Sequence, residues 1–116
     1  MRDIKKEYPL LFENNEKEID KRFKLAWEKV YLISDLLKTE YKAKTVIVFG
    51  SLTEKQRFHK KSDIDIAVTG IANDKFYEAY GKIIGKISSI EIDLVDVNDC
   101  RDSLLNVINK EGIVIE

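Results

Sequence analysis

Apolar and polar residues follow two different periods along this chain. From Glu16 to about Tyr41, apolar side chains recur at Ile19, Phe23, Trp27, Val30, Leu37 and Tyr41, and Ala26, Ile33 and Leu36 widen the stripe. Spacings of three and four place them on one side of an α-helix whose other side is Lys, Glu, Asp and Arg. Asn14 or Asn15 offers a capping side chain at its start. Met1 to about Asn15 is polar except for Leu10, Leu11 and Phe12 after Pro9, and reads as an arm pinned by those three residues. The helical stripe is broader than one sheet contact needs. Trp27 and Tyr31 therefore leave apolar surface for a partner protein or a second copy of the chain.

The period then shortens. Val46, Ile47, Val48 and Phe49 form a wholly apolar, mostly β-branched run, the mark of a strand buried on both faces. Asp63 to Val68 alternates: Ile64, Ile66 and Val68 share one face, Asp63 and Asp65 the other. Gly70 ends that strand. Asn73 caps a helix from Asp74 to about Ser88, with Phe76, Tyr80, Ile83, Ile84 and Ile87 on one face and Gly81 and Gly85 allowing close packing on a strand. Ile90 to Val97 is a third strand. Asn98 or Asp99 caps a last helix carrying Leu104, Leu105, Val107 and Ile108. Gly112 stops it, and Ile113 to Ile115 is a terminal strand or edge segment.

Composition narrows the classes. The chain has 116 residues, enough for one core and one domain. Apolar content of 44% excludes a disordered chain. Lys plus Arg number 20 against 21 Asp plus Glu, so charge balance asks for neither nucleic acid nor an anionic membrane. No apolar run is long enough to span a bilayer. The single cysteine, Cys100, permits no intrachain disulfide and suits a reducing cytoplasm, in a structural role.

The chemistry concentrates between Val46 and Val68. Gly50-Ser51 closes the first strand, where glycine allows close backbone approach and serine offers a hydroxyl beside free N–H groups. The next segment is basic, with Lys55, Arg57, His59, Lys60 and Lys61. It lies between the two motifs, so Arg57 and Lys61 are candidates to touch a triphosphate. His59, the only histidine, reads as a surface residue. Asp63 and Asp65 would repel each other on one strand face unless a cation lay between them, and oxygen-only ligands suit Mg²⁺.

Gly-Ser behind an apolar strand, followed by Asp-x-Asp opening the next, resembles the polymerase-beta-like nucleotidyltransferase superfamily. The short chain and the wording SDIDIAV resemble its minimal branch, often the antitoxin half of HEPN–MNT toxin–antitoxin pairs. The resemblance implies an α/β (α+β) nucleotidyltransferase fold: a small mixed sheet, helices mainly on one face and a long N-terminal helix. The divisions would be an arm over 1–15, a helix over 16–42 and the core over 44–116. It also implies a third carboxylate on a later strand. Asp93, Asp96 and Asp99 are the candidates. Asp96 has the parity of the apolar Ile92 and Leu94, Asp99 reads as a cap, and Asp93 in Ile92-Asp93-Leu94-Val95 matches the family position.

By resemblance, Asp63, Asp65 and Asp93 are catalytic and hold two Mg²⁺ ions, with Mn²⁺ able to substitute. Gly50 and Ser51 bind phosphates, ATP is the nucleotide, and AMP passes to a tyrosine on a HEPN partner that is silenced by AMPylation. The alternatives are a non-catalytic antitoxin or nucleotide-binding subunit acting by contact, and an aminoglycoside-type small-molecule nucleotidyltransferase. Nucleic-acid polymerisation is disfavoured, because no basic nucleic-acid domain is present.

Overall fold

The computed structural model describes residues 9–87 and 89–116, with side chains from Glu16 onward. Helix α1 runs from Pro9 to Glu40, β1 from Thr45 to Phe49, β2 from Ile64 to Thr69, α2 from Asn73 to Lys86, β3 from Ile92 to Asp96, α3 from Asp102 to Glu111, and β4 from Ile113 to Ile115. Short 3₁₀ turns at Gly50–Thr53, Lys55–Arg57 and Val97–Asp99 link them. The sheet order is β3-β2-β1-β4, with β1 antiparallel to β2 and β4 and β2 parallel to β3. This is the small mixed sheet that the family resemblance implied.

Side-chain parity sorts the sheet into two faces. Val46, Val48, Ile64, Ile66, Val68, Ile92 and Leu94 join the main core with Ala26, Val30, Ile33 and Leu37 of α1 and Phe76, Ala79 and Ile83 of α2. The opposite parity puts Phe49 and Ala67 under α3, where Ile108 is buried and Leu104 half-buried. Two helices thus cover the face with Ile64 and Ile66, and α3 covers part of the other. Ile66 is fully buried at the centre of the main face. Its truncation to alanine should cost about 2–5 kcal/mol, read from the denaturant midpoint, because a close-packed site collapses only partly around a lost side chain.

Several local expectations are corrected. The long helix begins at Pro9 and runs through Asn14 and Asn15, so neither caps it and 9–15 is no arm. Proline suits a helix's first position, since its missing N–H would have no partner there. Residues 1–8 of the expected arm, and the side chains of Leu10, Leu11 and Phe12, lie outside the described residues. Asn73 stands inside α2; Ala72 precedes it and makes no side-chain cap. Ile84 faces solvent, because Phe76, Ala79 and Ile83 already fill the buried stripe. Gly81 and Gly85 face open space and bring no strand close. Arg101, not Asn98 or Asp99, precedes α3, again without a side-chain cap. Asp96 escapes the core at the strand end, where its carboxylate accepts from Asn98 N–H at 3.0 Å.

Some expectations hold. Gly70 ends β2 with φ +90°, and a Cβ there would stand 2.7 Å from the Lys44 nitrogen. Tyr31, Leu25 and Leu32 of α1 are exposed, while Trp27 is half-buried and packs on the core at one edge.

Candidate functional site

The site grows from the end of β1. Once the apolar strand ends at Phe49, Gly50 turns the chain with φ +76°. A side chain there is disfavoured, because a Cβ would run into the Asp65 carboxylate. The 3₁₀ turn that follows is fixed from within and below. Thr53 Oγ1 donates to the Gly50 carbonyl at 2.7 Å, and Leu52 is fully buried. Ser51 stays half-buried at the turn.

The basic segment is clamped by α1. Phe58 is buried and meets Phe23 edge to face, with ring centroids 5.4 Å apart. Lys55 pairs with Asp20 at 2.9 Å, Lys60 with Glu18 at 3.6 Å, and Arg22 Nη2 donates to the Ser62 carbonyl at 3.3 Å. Exposed pairs of this kind contribute little stability singly, but together they set the path of the loop. Lys61 is exposed, and its N–H donates to His59 Nδ1 at 3.2 Å. His59 is a surface residue, as expected.

Asp63 stands just before β2 and Asp65 within it, both half-buried. Parallel pairing of β2 with β3 puts Asp65 directly beside Asp93, and antiparallel pairing with β1 puts it beside Phe49. The sheet therefore brings Asp63, Asp65 and Asp93 to the end of β1 that carries Gly50. Burial first, then the charges of Asp93, Asp63 and Glu111, push the Asp65 carboxyl from its ordinary 3.8 to about 6. The carboxylates are neighbours rather than a closed cage: among the described residues, no group of three or more Asp, Glu, His or Cys side chains is assembled to hold a metal ion. The donor set nonetheless fits a hard divalent cation, being all oxygen and negatively charged.

Two contributors escape a reading of sequence. Tyr80 of α2 donates its hydroxyl to the Ile92 carbonyl at 2.8 Å and stands 3.4 Å from Asp93 Oδ1, which braces the strand at the third carboxylate. Burial raises the Tyr80 hydroxyl above its ordinary pKa. Tyr80 also lines a groove of about 740 Å³ beside β3, the edge strand. Glu111, the last residue of α3, accepts from Gly50 N–H at 3.1 Å through Oε1 and from Arg57 Nη1 at 2.8 Å through Oε2. The Arg57 hydrogen bond holds the Glu111 carboxyl below the usual range.

A glycine-serine turn beside carboxylates on two adjacent strands of a small mixed sheet defines a nucleotidyltransferase type of site. The polymerase beta nucleotidyltransferase model matches residues 32–116, and the chain belongs to that family. The first part of α1, residues 9–31, lies outside the match. No curated protein matches the sequence. Among solved structures, a mutant form of the toxin–antitoxin MntA–HpeT is similar at TM-score 0.59 and 27% identity, over 73% of this chain and 70% of that one. A toxin–antitoxin with AMP-PNP is similar at TM-score 0.57 and 27% identity, over 75% and 69%. A tri-AMPylated Shewanella oneidensis HEPN toxin in complex with MNT antitoxin is similar at TM-score 0.58 and 25% identity, over 77% and 70%. No described helix is long and apolar enough to cross a membrane.

Proposed function

We propose that this protein transfers AMP from ATP to a tyrosine hydroxyl of a cognate HEPN-type toxin and so acts as its antitoxin. The observation that carries this reading is the register that sets Asp65 beside Asp93, with Gly50 closing over Asp65. Three carboxylates gathered at one end of the sheet repel one another unless a cation offsets them. The similar complexes with AMP-PNP and with an AMPylated HEPN toxin support the choice of nucleotide and partner.

Asp63, Asp65 and Asp93 would hold Mg²⁺, which when bound offsets triphosphate charge and makes an acceptor hydroxyl more acidic. Gly50 N–H and the Ser51 hydroxyl hold the β- and γ-phosphates. Arg57 and Lys61 lie on the same loop and add positive charge. The acceptor oxygen forms a bond to the α-phosphorus in line as the bond to the bridging oxygen breaks. Pyrophosphate leaves with that electron pair. The hydroxyl proton passes to the Asp93 carboxylate, which the sheet register sets beside Asp65.

The test uses ATP labelled at the α-phosphate together with the adjacent-gene HEPN protein. Label should appear on that protein at tyrosine, and Asp63→Asn should abolish labelling while leaving the complex intact on gel filtration. Full neutralisation of the toxin by that variant would make contact the function instead. Label on an aminoglycoside and none on protein would keep the enzyme class and remove the antitoxin role.

A further inference from the structure

Two of the donors that the proposed reading gives to phosphate are already engaged by a side chain of this protein. Gly50 N–H has no strand partner, because β1 ends at Phe49. The pairing of β1 with β4 sets Val48 opposite Ile113. Carried two residues further, the same register brings Gly50 opposite Glu111. The Glu111 carboxylate therefore meets Gly50 N–H at 3.1 Å with one oxygen and Arg57 at 2.8 Å with the other. Two oxygens of one anion bridging a backbone N–H and a guanidinium form the contact pattern of a phosphate group.

This placement carries a penalty. Glu111 adds to the charges that raise the Asp65 carboxyl, so it is a fourth negative group at a crowded site. Arg57 and Gly50 N–H offset it, and the Glu111 carboxyl is held below its usual range, so it remains ionised throughout the physiological pH span. The tie is also open to exchange. The Glu111 side chain is 26% exposed and that of Arg57 45%. Exposed pairs of this kind contribute little, less than a nucleotide's phosphates gain from the same donors.

We infer that Glu111 is an internal competitor for the phosphate position: its carboxylate occupies Gly50 N–H and Arg57 until the β- or γ-phosphate of a nucleotide displaces it. The inference rests on the nucleotidyltransferase reading and adds a displacement step to it. Empty protein keeps its phosphate donors satisfied, and weak anions such as inorganic phosphate must compete with a tethered carboxylate. A nucleotide brought in with its divalent cation displaces Glu111 more readily, since that charge also relieves the carboxylates around Asp65.

Calorimetric titration of ATP with Mg²⁺ into the full chain tests this. Glu111→Gln should bind about three- to tenfold more tightly than the natural protein, the change expected when a half-exposed charged competitor is removed. Glu111→Asp, with a shorter reach, should fall between the two. Glu54→Gln removes an equal charge that also acts on Arg57 but accepts no hydrogen bond from its guanidinium or from Gly50 N–H, and should raise affinity clearly less than Glu111→Gln, which separates competition from net charge. In the double variant with Arg57→Ala, the gain from Glu111→Gln should shrink, because only Gly50 N–H is then contested. Unchanged or weaker binding by Glu111→Gln, with cooperative melting retained, would overturn the inference and make Glu111 a strut for the turn. An equal gain from Glu54→Gln would overturn it as well. If the natural protein and every variant melt cooperatively yet none binds ATP with Mg²⁺, the nucleotide reading itself falls, and the inference with it.

Discussion

Asp65→Asn should abolish nucleotidyl transfer and yet make the metal-free protein more stable. Asp65 sits where the carboxylates of Asp63 and Asp93 and the Gly50 turn meet, so loss of its charge removes a group placed for the reaction. Single-turnover label transfer should drop on the order of a thousandfold, comparable to losing a preorganised electrostatic group. Asparagine keeps the shape, so the fold should persist.

The stability gain follows from linkage. Asp65 ionises near 3.8 when unfolded and near 6 when folded. The folded state therefore holds the proton more tightly. Stability from this group is full below about pH 3.8 and is lost as pH rises through about 6. A shift of that size amounts to about 3 kcal/mol, and solvent screening of a half-buried group reduces it to roughly 1–2 kcal/mol. At pH 7, then, Asp65→Asn should raise the metal-free Tm, and the fall in Tm between about pH 4 and pH 6 should flatten. Added Mg²⁺ should raise the Tm of the natural protein at pH 7 and have little effect on the variant. A Tm that falls in the variant at pH 7 would mean that Asp65 is held by attraction rather than repulsion. Function and stability are opposed at this position, as they often are at sites built from like charges.

The extent to which sequence revealed this architecture depends on how local each determinant is. Val46 to Phe49 and the alternation from Ile64 to Val68 are legible because burial imposes a period that each residue reports. The same parity set Asp63 and Asp65 on one face, and the family resemblance pointed to Asp93. The start of α1 was obscured because Pro9 to Asn15 is mostly polar and its asparagines resemble caps, whereas Pro9 fits the first helical turn. Asn73 misled in the same way, since a residue able to cap is also tolerated one place further in. The site contacts of Tyr80 and Glu111 gave no local signal, although Tyr80 was read on the apolar face of its helix. Tyr80 reaches Ile92 and Asp93 across the α2–β3 crossover, and Glu111 reaches Gly50 only because β4 pairs with β1. The clamp of Asp20, Glu18 and Arg22 on the basic loop likewise joins residues far apart in the chain. Such contacts belong to topology, which hydrophobic periodicity does not encode.

Gly50→Ala should damage the site more than its single methyl suggests, and Gly70→Ala provides the comparison. Both glycines have positive φ, +76° and +90°, so either substitution strains the backbone by about 1–2 kcal/mol. The neighbours differ. A methyl at Gly70 meets the Lys44 backbone nitrogen, beside the hydrogen bond from Lys44 N–H to the Thr69 carbonyl at 2.8 Å. That disturbs the far end of β2, away from Asp65, and should lower Tm while the folded fraction keeps its full transfer rate. A methyl at Gly50 meets Asp65 Oδ2 directly and must push that carboxylate aside or tilt the Gly50 N–H away from its phosphate position. Displacements near 1 Å in a reacting constellation cost roughly a hundredfold in rate. Gly50→Ala should thus lose about that much transfer per folded molecule, with a Tm loss similar to that of Gly70→Ala. It should also lower the proton affinity of Asp65 if the carboxylate swings toward solvent, shifting the acid limb of the pH–rate profile downward. Equal rates per folded molecule in the two variants would separate Gly50 from the chemistry and leave it a turn residue only.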